Sequence, residues 1–197
     1  PEVYRLALRA SDVVAVLDDL GICKAYFLGY SMGGWIGWGI AKYVPERFHS
    51  LIIGGAGPDE RDPNEPDPTR EQWIALLGQG AEAWGGFLRE WFGPLWRPEW
   101  WDQLAANDSQ ALIASLLCRE RVGLVEALPT MTIPCLVFAG EAEPSFSQLR
   151  ERVEHMPNVT FVGLPGLNHI EACCRSDLVL PHVRRFLAEV SQGLTSK

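Results

Sequence analysis

Apolar residues recur at helical spacing from the start of the chain. Val3, Leu6, Ala10, Val13, Val14, Leu17 and Leu20 share one face and Gly21 comes next as a stop, which predicts an amphipathic helix over 3–20. Residues 24–29 then form a short apolar run that reads as a strand, and 31–43 read as a helix. Gly33, Gly34, Gly37 and Gly39 give that helix a face able to lie close against a sheet. Further short strands are predicted at 51–54, 135–139 and 159–162, with a crossover helix at 147–155 and a last helix ending near Val190. Runs this continuously apolar suit strands covered on both faces. Strand and helix alternate throughout, so the predicted fold class is α/β: a mostly parallel sheet between two helical layers.

The alternation is interrupted between 58 and 129. Residues 58–69 are rich in proline and acid and read as a solvated loop. The rest of the interruption is helical and aromatic, with six of the eight tryptophans, Trp73, Trp84, Trp91, Trp96, Trp100 and Trp101, close together. The expected division is therefore a core of 1–57 and 130–197 with a helical insertion at 58–129.

The candidate chemistry begins at Gly29-Tyr30-Ser31-Met32-Gly33-Gly34, placed between the first strand and its helix. A Gly-x-Ser-x-Gly segment at such a turn forms a nucleophile elbow. The turn strains the serine backbone, projects its Oγ above the sheet edge, and needs glycine at the flanks for close strand-helix approach. Met32 then offers its backbone N–H to a developing oxyanion.

At this point the chain resembles the α/β-hydrolase family. Tyr43-Val44-Pro45-Glu46-Arg47-Phe48 is similar to the family's exit from the elbow helix, and Ile133-Pro134-Cys135-Leu136-Val137-Phe138-Ala139-Gly140-Glu141 to a later strand. Pro165-Gly166-Leu167-Asn168-His169 resembles the loop that carries its histidine. The resemblance implies a chain order of nucleophile, acid and base. Ser31 is the expected nucleophile. His169 is the expected base by motif order and by its place at the C-terminal end of the last strand, where open parallel sheets hold their ligand sites; His49, His155 and His182 read as surface or packing residues. Glu143 stands where the family usually has aspartate, so its extra methylene requires the loop to sit further back. Glu141 is the rival, and both also read as exposed loop charges.

The resemblance also makes the 58–129 insertion a helical cap. Its tryptophans have two readings: a small core for the cap itself, or an apolar wall for an acyl or alkyl group, with Trp91, Trp96 and Trp100 as candidate substrate-binding residues. The expected function is a serine hydrolase acting on a small or medium ester or similar acyl compound through an acyl-enzyme. The alternative is a homologue that keeps the fold for ligand or partner binding. Serine at the elbow disfavours the dehalogenase and epoxide-hydrolase branches, which need a carboxylate nucleophile, and leaves the lactonase, carbon-carbon hydrolase, peptidase and cofactor-free acyltransferase branches open.

Composition narrows this picture. The net charge of −8 over 197 residues argues against a nucleic-acid partner, because affinity for phosphate backbones comes from lysine and arginine. No uninterrupted apolar run reaches membrane-spanning length, so no membrane partner is expected. Five scattered cysteines suit a reducing cytoplasm better than a disulfide framework. Cys173 and Cys174, just after His169, lack further ligands for a metal and read as small buried thiols. No metal or organic cofactor is expected. In the family, a second oxyanion N–H comes from a loop after an earlier strand. This sequence begins at the helix before the elbow strand, so it reads as a fragment or shortened relative in which that first strand is an unpaired edge.

Overall fold

The computed structural model describes residues 2–58, 66–118 and 123–195. The chain divides into two compact units, Pro1–Arg5 with Arg61–Arg121, and Leu6–Glu60 with Val122–Lys197. In chain order the elements are α1 (Leu6–Asp19), β1 (Ala25–Tyr30), α2 (Met32–Tyr43), β2 (Phe48–Gly54), α3 (Pro68–Gly78), α4 (Ala81–Phe92), α5 (Trp101–Ala105), α6 (Ser109–Leu117), α7 (Leu124–Ala127), β3 (Cys135–Gly140), α8 (Phe146–Val153), β4 (Val159–Leu164), α9 (His169–Cys174) and α10 (Ser176–Thr195). Short 3-10 turns fill several joints.

In the larger unit the four strands lie in the order β1-β2-β3-β4, all parallel. Residue alternation then sorts the core into two layers. Leu51, Ile53, Cys135, Val137 and Ala139 point to one side, where they pack with Leu6 and Ala10 of α1, Trp38 of α2 and Val153 of α8. Ile52, Leu136, Phe138, Val162 and Leu164 point to the other, against Ala172 of α9 and Val183 and Phe186 of α10. The sheet is thus flanked by helices on both faces, as the alternating pattern predicts.

Local chemistry fixes the joints. Gly21 adopts φ 67° and closes α1: its N–H donates to the Asp18 carbonyl at 3.0 Å, and that of Ile22 to Leu17 at 2.8 Å. These paired bonds satisfy carbonyls that the helix end would orphan. Arg47 then clamps the same turn to the start of β2, donating to the Asp18 carboxylate at 2.7 Å and to the carbonyls of Ile22 and Cys23 at 3.0 Å.

Several expected boundaries move. The first helix starts at Leu6, because Glu2–Tyr4 form a 3-10 turn, and β2 begins three residues early, at Phe48. The expectation that every strand is covered on both faces fails at β1. Its place at the sheet's end leaves Tyr26 44% and Leu28 56% exposed. Of the proline- and acid-rich loop read over 58–69, residues 59–65 lie outside the described residues; beyond it Asp67 caps α3, its carboxylate accepting the Arg70 N–H at 3.1 Å.

The smaller unit is built on aromatic contacts. Trp73 of α3 meets Trp84 and Trp91 of α4 at 6.0 and 5.6 Å between ring centroids, and Leu77 and Leu88 are buried. Gly85 has no room for a side chain because the Trp101 ring lies against it.

The edge at β1 has a measurable consequence. Unpaired strand groups beside exposed apolar side chains template association. The 197-residue chain is expected to self-associate, and Leu28→Lys to lower its mean mass in light scattering without changing its circular dichroism. An unchanged mass would show that β1 is not the contact.

Candidate active site

Ser31 joins β1 to α2 with φ 53° and ψ −113°, the sole non-glycine residue at positive φ among the described residues. Such a conformation costs roughly 1–3 kcal/mol and persists only where its surroundings hold it. Here backbone bonds grip it from both sides. Its N–H donates to Gly54 at the end of β2 (2.8 Å), and its carbonyl accepts from Trp35 in the first turn of α2 (3.0 Å). A Cβ on Gly29 would collide with the Gly33 carbonyl, and one on Gly34 would lie 2.8 Å from the Gly54 carbonyl oxygen and 2.9 Å from Ala56 Cβ. Gly33 faces open space. The close approach expected of Gly29 and Gly33 is therefore made by Gly29 and Gly34. Gly37 faces Ile53 and Phe27, whereas Gly39 packs against Leu6 of α1 rather than the sheet. Met32 is the first residue of α2, where backbone N–H groups have no intrahelical acceptor, and its side chain is exposed.

His169 is the first residue of a helix, not a loop residue as expected. Asn168 caps α9: its side-chain oxygen accepts from the Glu171 N–H and the Glu171 carboxylate accepts from the Asn168 N–H, each at 2.9 Å. The preceding turn is packed onto the end of β3, where Gly140 lies against the Leu167 carbonyl and Ala142 N–H donates to it at 3.0 Å. This packing brings three expected residues together. His169 Nε2 lies 3.0 Å from Ser31 Oγ, and Nδ1 lies 3.2 Å from Glu143 Oε2. The other Glu143 oxygen accepts the Gly140 N–H at 3.3 Å, so the carboxylate folds back over its own loop and takes up its extra methylene there. The Glu143 side chain is 8% exposed. Glu141 is exposed, with its side chain beside Gly163.

A family model described as the alpha/beta hydrolase family matches residues 1–179. The chain belongs to the alpha/beta hydrolase family. It is similar to 3-oxoadipate enol-lactonase 2 of Acinetobacter baylyi, at 30% identity over 72% of this chain. The chain spans 55% of that lactonase's length. A hydrolase from Pseudomonas aeruginosa superposes with a TM-score of 0.74 at 26% identity, over 93% of this chain and 72% of its own. An esterase from Thermogutta terrifontis shares the fold, with a TM-score of 0.70 at 22% identity over 94% and 72%.

In this α/β-hydrolase the remaining candidates fall elsewhere. His49 sets its ring 5.0 Å from that of Tyr26 in a tilted contact, His155 is exposed beyond α8, and His182 lies in α10. Cys173 is exposed and Cys174 half-buried, which corrects the expectation of buried thiols. Among the described residues no group of three or more His, Cys, Asp or Glu could hold a metal ion. None of their helices is long and apolar enough to cross a membrane. Trp91, Trp96 and Trp100 belong to the smaller unit. There Trp96 and Trp100 pack edge-on at 5.9 Å and both meet Phe92, while Trp91 is 40% exposed.

One neighbour of the site was not expected. Tyr30, directly before Ser31, sets its ring 5.1 Å from that of His169 and 5.8 Å from that of Phe138. Its hydroxyl donates to the His169 backbone carbonyl at 2.6 Å. Burial, and then the charge of Glu143, push the phenol far above its usual range, so it remains a donor around neutral pH.

The glycine geometry can be tested by stability. Gly34→Ala forces a methyl onto fixed backbone and should cost about 1–3 kcal/mol, as overpacking does. Gly33→Ala enters open space and should be neutral or gain up to about 1 kcal/mol from helix propensity. Urea midpoints measure both; equal midpoints would contradict the contacts described.

Proposed function

We propose that this protein is a serine hydrolase that cleaves a small or medium ester or related acyl compound, lactones among them, through an acyl-enzyme. The observation that carries the reading is the unbroken line from Ser31 Oγ through His169 to Glu143 at 3.0 and 3.2 Å. A hydroxyl is a poor nucleophile at neutral pH, and an imidazole within reach of its proton makes it a good one. In this reading His169 Nε2 takes the Ser31 proton as Oγ attacks the substrate carbonyl. Glu143 accepts from Nδ1–H, which fixes the tautomer and stabilises the imidazolium. The Met32 N–H stabilises the oxyanion, His169 returns the proton to the leaving oxygen, and water then releases the acyl group by the same steps.

Side chains and water suffice for these steps, so the reading includes no metal or organic cofactor. The kinship with an enol-lactonase supports including lactones. Five free cysteines support a reducing, cytoplasmic location. We assign the smaller unit the role of a cap, with Trp91, Trp96 and Trp100 as an apolar wall for the acyl group.

A fluorophosphonate should label Ser31, and neither Ser31→Ala nor His169→Ala should react. An adduct on another serine would overturn the nucleophile. Absence of labelling in folded wild-type protein would instead favour a homologue that only binds its ligand.

The acid is tested separately. Glu143→Gln should lower turnover by about four orders of magnitude, as loss of a triad acid does, with the fold intact. Glu141→Gln should stay near wild type, and the reverse ranking would move the role to Glu141.

For the cap, alanine at Trp91, Trp96 or Trp100 should change the preference among acyl chain lengths, and at least one of these variants should keep its Tm. Loss of stability at all three with unchanged selectivity would reduce them to packing.

A further inference from the structure

Ser31 and His169 stand 138 positions apart, and something must hold their segments at hydrogen-bonding distance while acyl groups come and go. The Ser31 side is rigid: strand, elbow and helix are tied together by backbone bonds. The His169 side is a helix of six residues, too short to be stable alone, capped by Asn168 and preceded by a turn containing Gly166 at φ 70°. One side chain spans the two. Tyr30 is covalently joined to Ser31, and its hydroxyl reaches the main chain of His169 itself.

We propose that Tyr30 is a positioning residue for the hydrolytic reaction: its hydroxyl, bonded to the His169 carbonyl, sets the separation between nucleophile and base. The inference rests on the serine-hydrolase reading above. Three observations carry it. The bond is short, at 2.6 Å, and ends on backbone, so it fixes the path of the chain rather than the rotamer of the imidazole. The phenol ring is confined between Phe138 and the His169 ring, and a Cβ on Gly55 would lie 2.6 Å from its Cζ, so the ring has little room to swing away. The partly buried setting also raises the worth of a bond whose loss would leave a polar group unsatisfied. Glu143 holds the imidazole by its far nitrogen, and Tyr30 holds the residue that bears it. Neither contact replaces the other.

The position before the nucleophile is thus a second determinant of catalysis in this chain. His169 acts first as base and then as acid in acylation and again in deacylation, so a lost anchor slows both half-reactions. Substrate affinity, set elsewhere, changes little.

The test uses Tyr30→Phe, which keeps the ring and removes the donor. A second variant carries 4-fluorophenylalanine at position 30; it fills the hydroxyl's space with a group that cannot donate and protects the test against a packing defect in the first. Fluorophosphonate titration counts competent sites, and turnover of a p-nitrophenyl ester is expressed per titrated site. Wild-type labelling at Ser31 checks the underlying reading independently of Tyr30. The expected result is a ten- to hundredfold fall in kcat per titrated site for both variants, with KM within twofold. Acylation and deacylation rates should fall together in stopped flow. A merely structural role would lower the number of competent sites and leave the rate per site at the wild-type value, and that result overturns the proposal. A rise in KM at constant kcat would overturn it too, since Tyr30 would then be contacting substrate.

Discussion

The site depends on one backbone reversal. At Ser31 the chain passes from strand to helix within a single residue, at a φ that side chains rarely adopt, and it can do so because the elements on either side come within contact distance. Gly29 and Gly34 make that distance possible, and the bonds from the Ser31 N–H to the Gly54 carbonyl and from the Trp35 N–H to the Ser31 carbonyl hold it. Strain at such a point is tolerated where the surroundings over-determine it. The interior of the larger unit is arranged to the same end: β2 supplies the Gly54 carbonyl, and Trp38 of α2 donates to the Ala56 carbonyl at 3.0 Å, which pins the segment after β2 beside the elbow.

The other half of the site is held by accumulation rather than by strain. The loop that leaves β3 carries Glu143, the same end of the strand receives the turn before α9 through Gly140 and Ala142, and Glu143 and His169 are so kept on one edge of the sheet. Parallel strands make this possible, since their C-terminal ends gather on one side and the loops that leave them converge there. A sheet of mixed direction would have scattered Ser31, Glu143 and His169 across both edges.

Much of this was legible from residue order. The elbow, the acid and the histidine each sit in a local pattern with a physical cause, and the strands announced themselves as apolar runs bounded by turns. What escaped was of two kinds. Some signals lie in the sequence but are easily passed over: Asn168 and Glu171 form a capping pair three residues apart, which marks His169 as a helix start. Others have no local trace. Gly33 and Gly34 look alike in sequence, and only the neighbouring strand decides which is needed. The bond from Tyr30 to His169 spans 139 residues, and no periodicity within either segment points to the other. The same holds for β1, whose apolar run resembles those of the covered strands although its outer face lies open.

The order of the sheet also sets a timetable for synthesis. β2 pairs with β3, yet about 80 residues separate them, so at a translation speed of roughly 5–20 residues per second the first half-sheet waits several seconds on the ribosome for its neighbour. During that interval β2 offers bare edge groups and the apolar side chains of Leu51, Ile52 and Ile53 to its surroundings. Ser31 meanwhile has no imidazole beside it. The contact between Ser31 and His169 forms only once the segment after β4 emerges and brings His169 to the elbow.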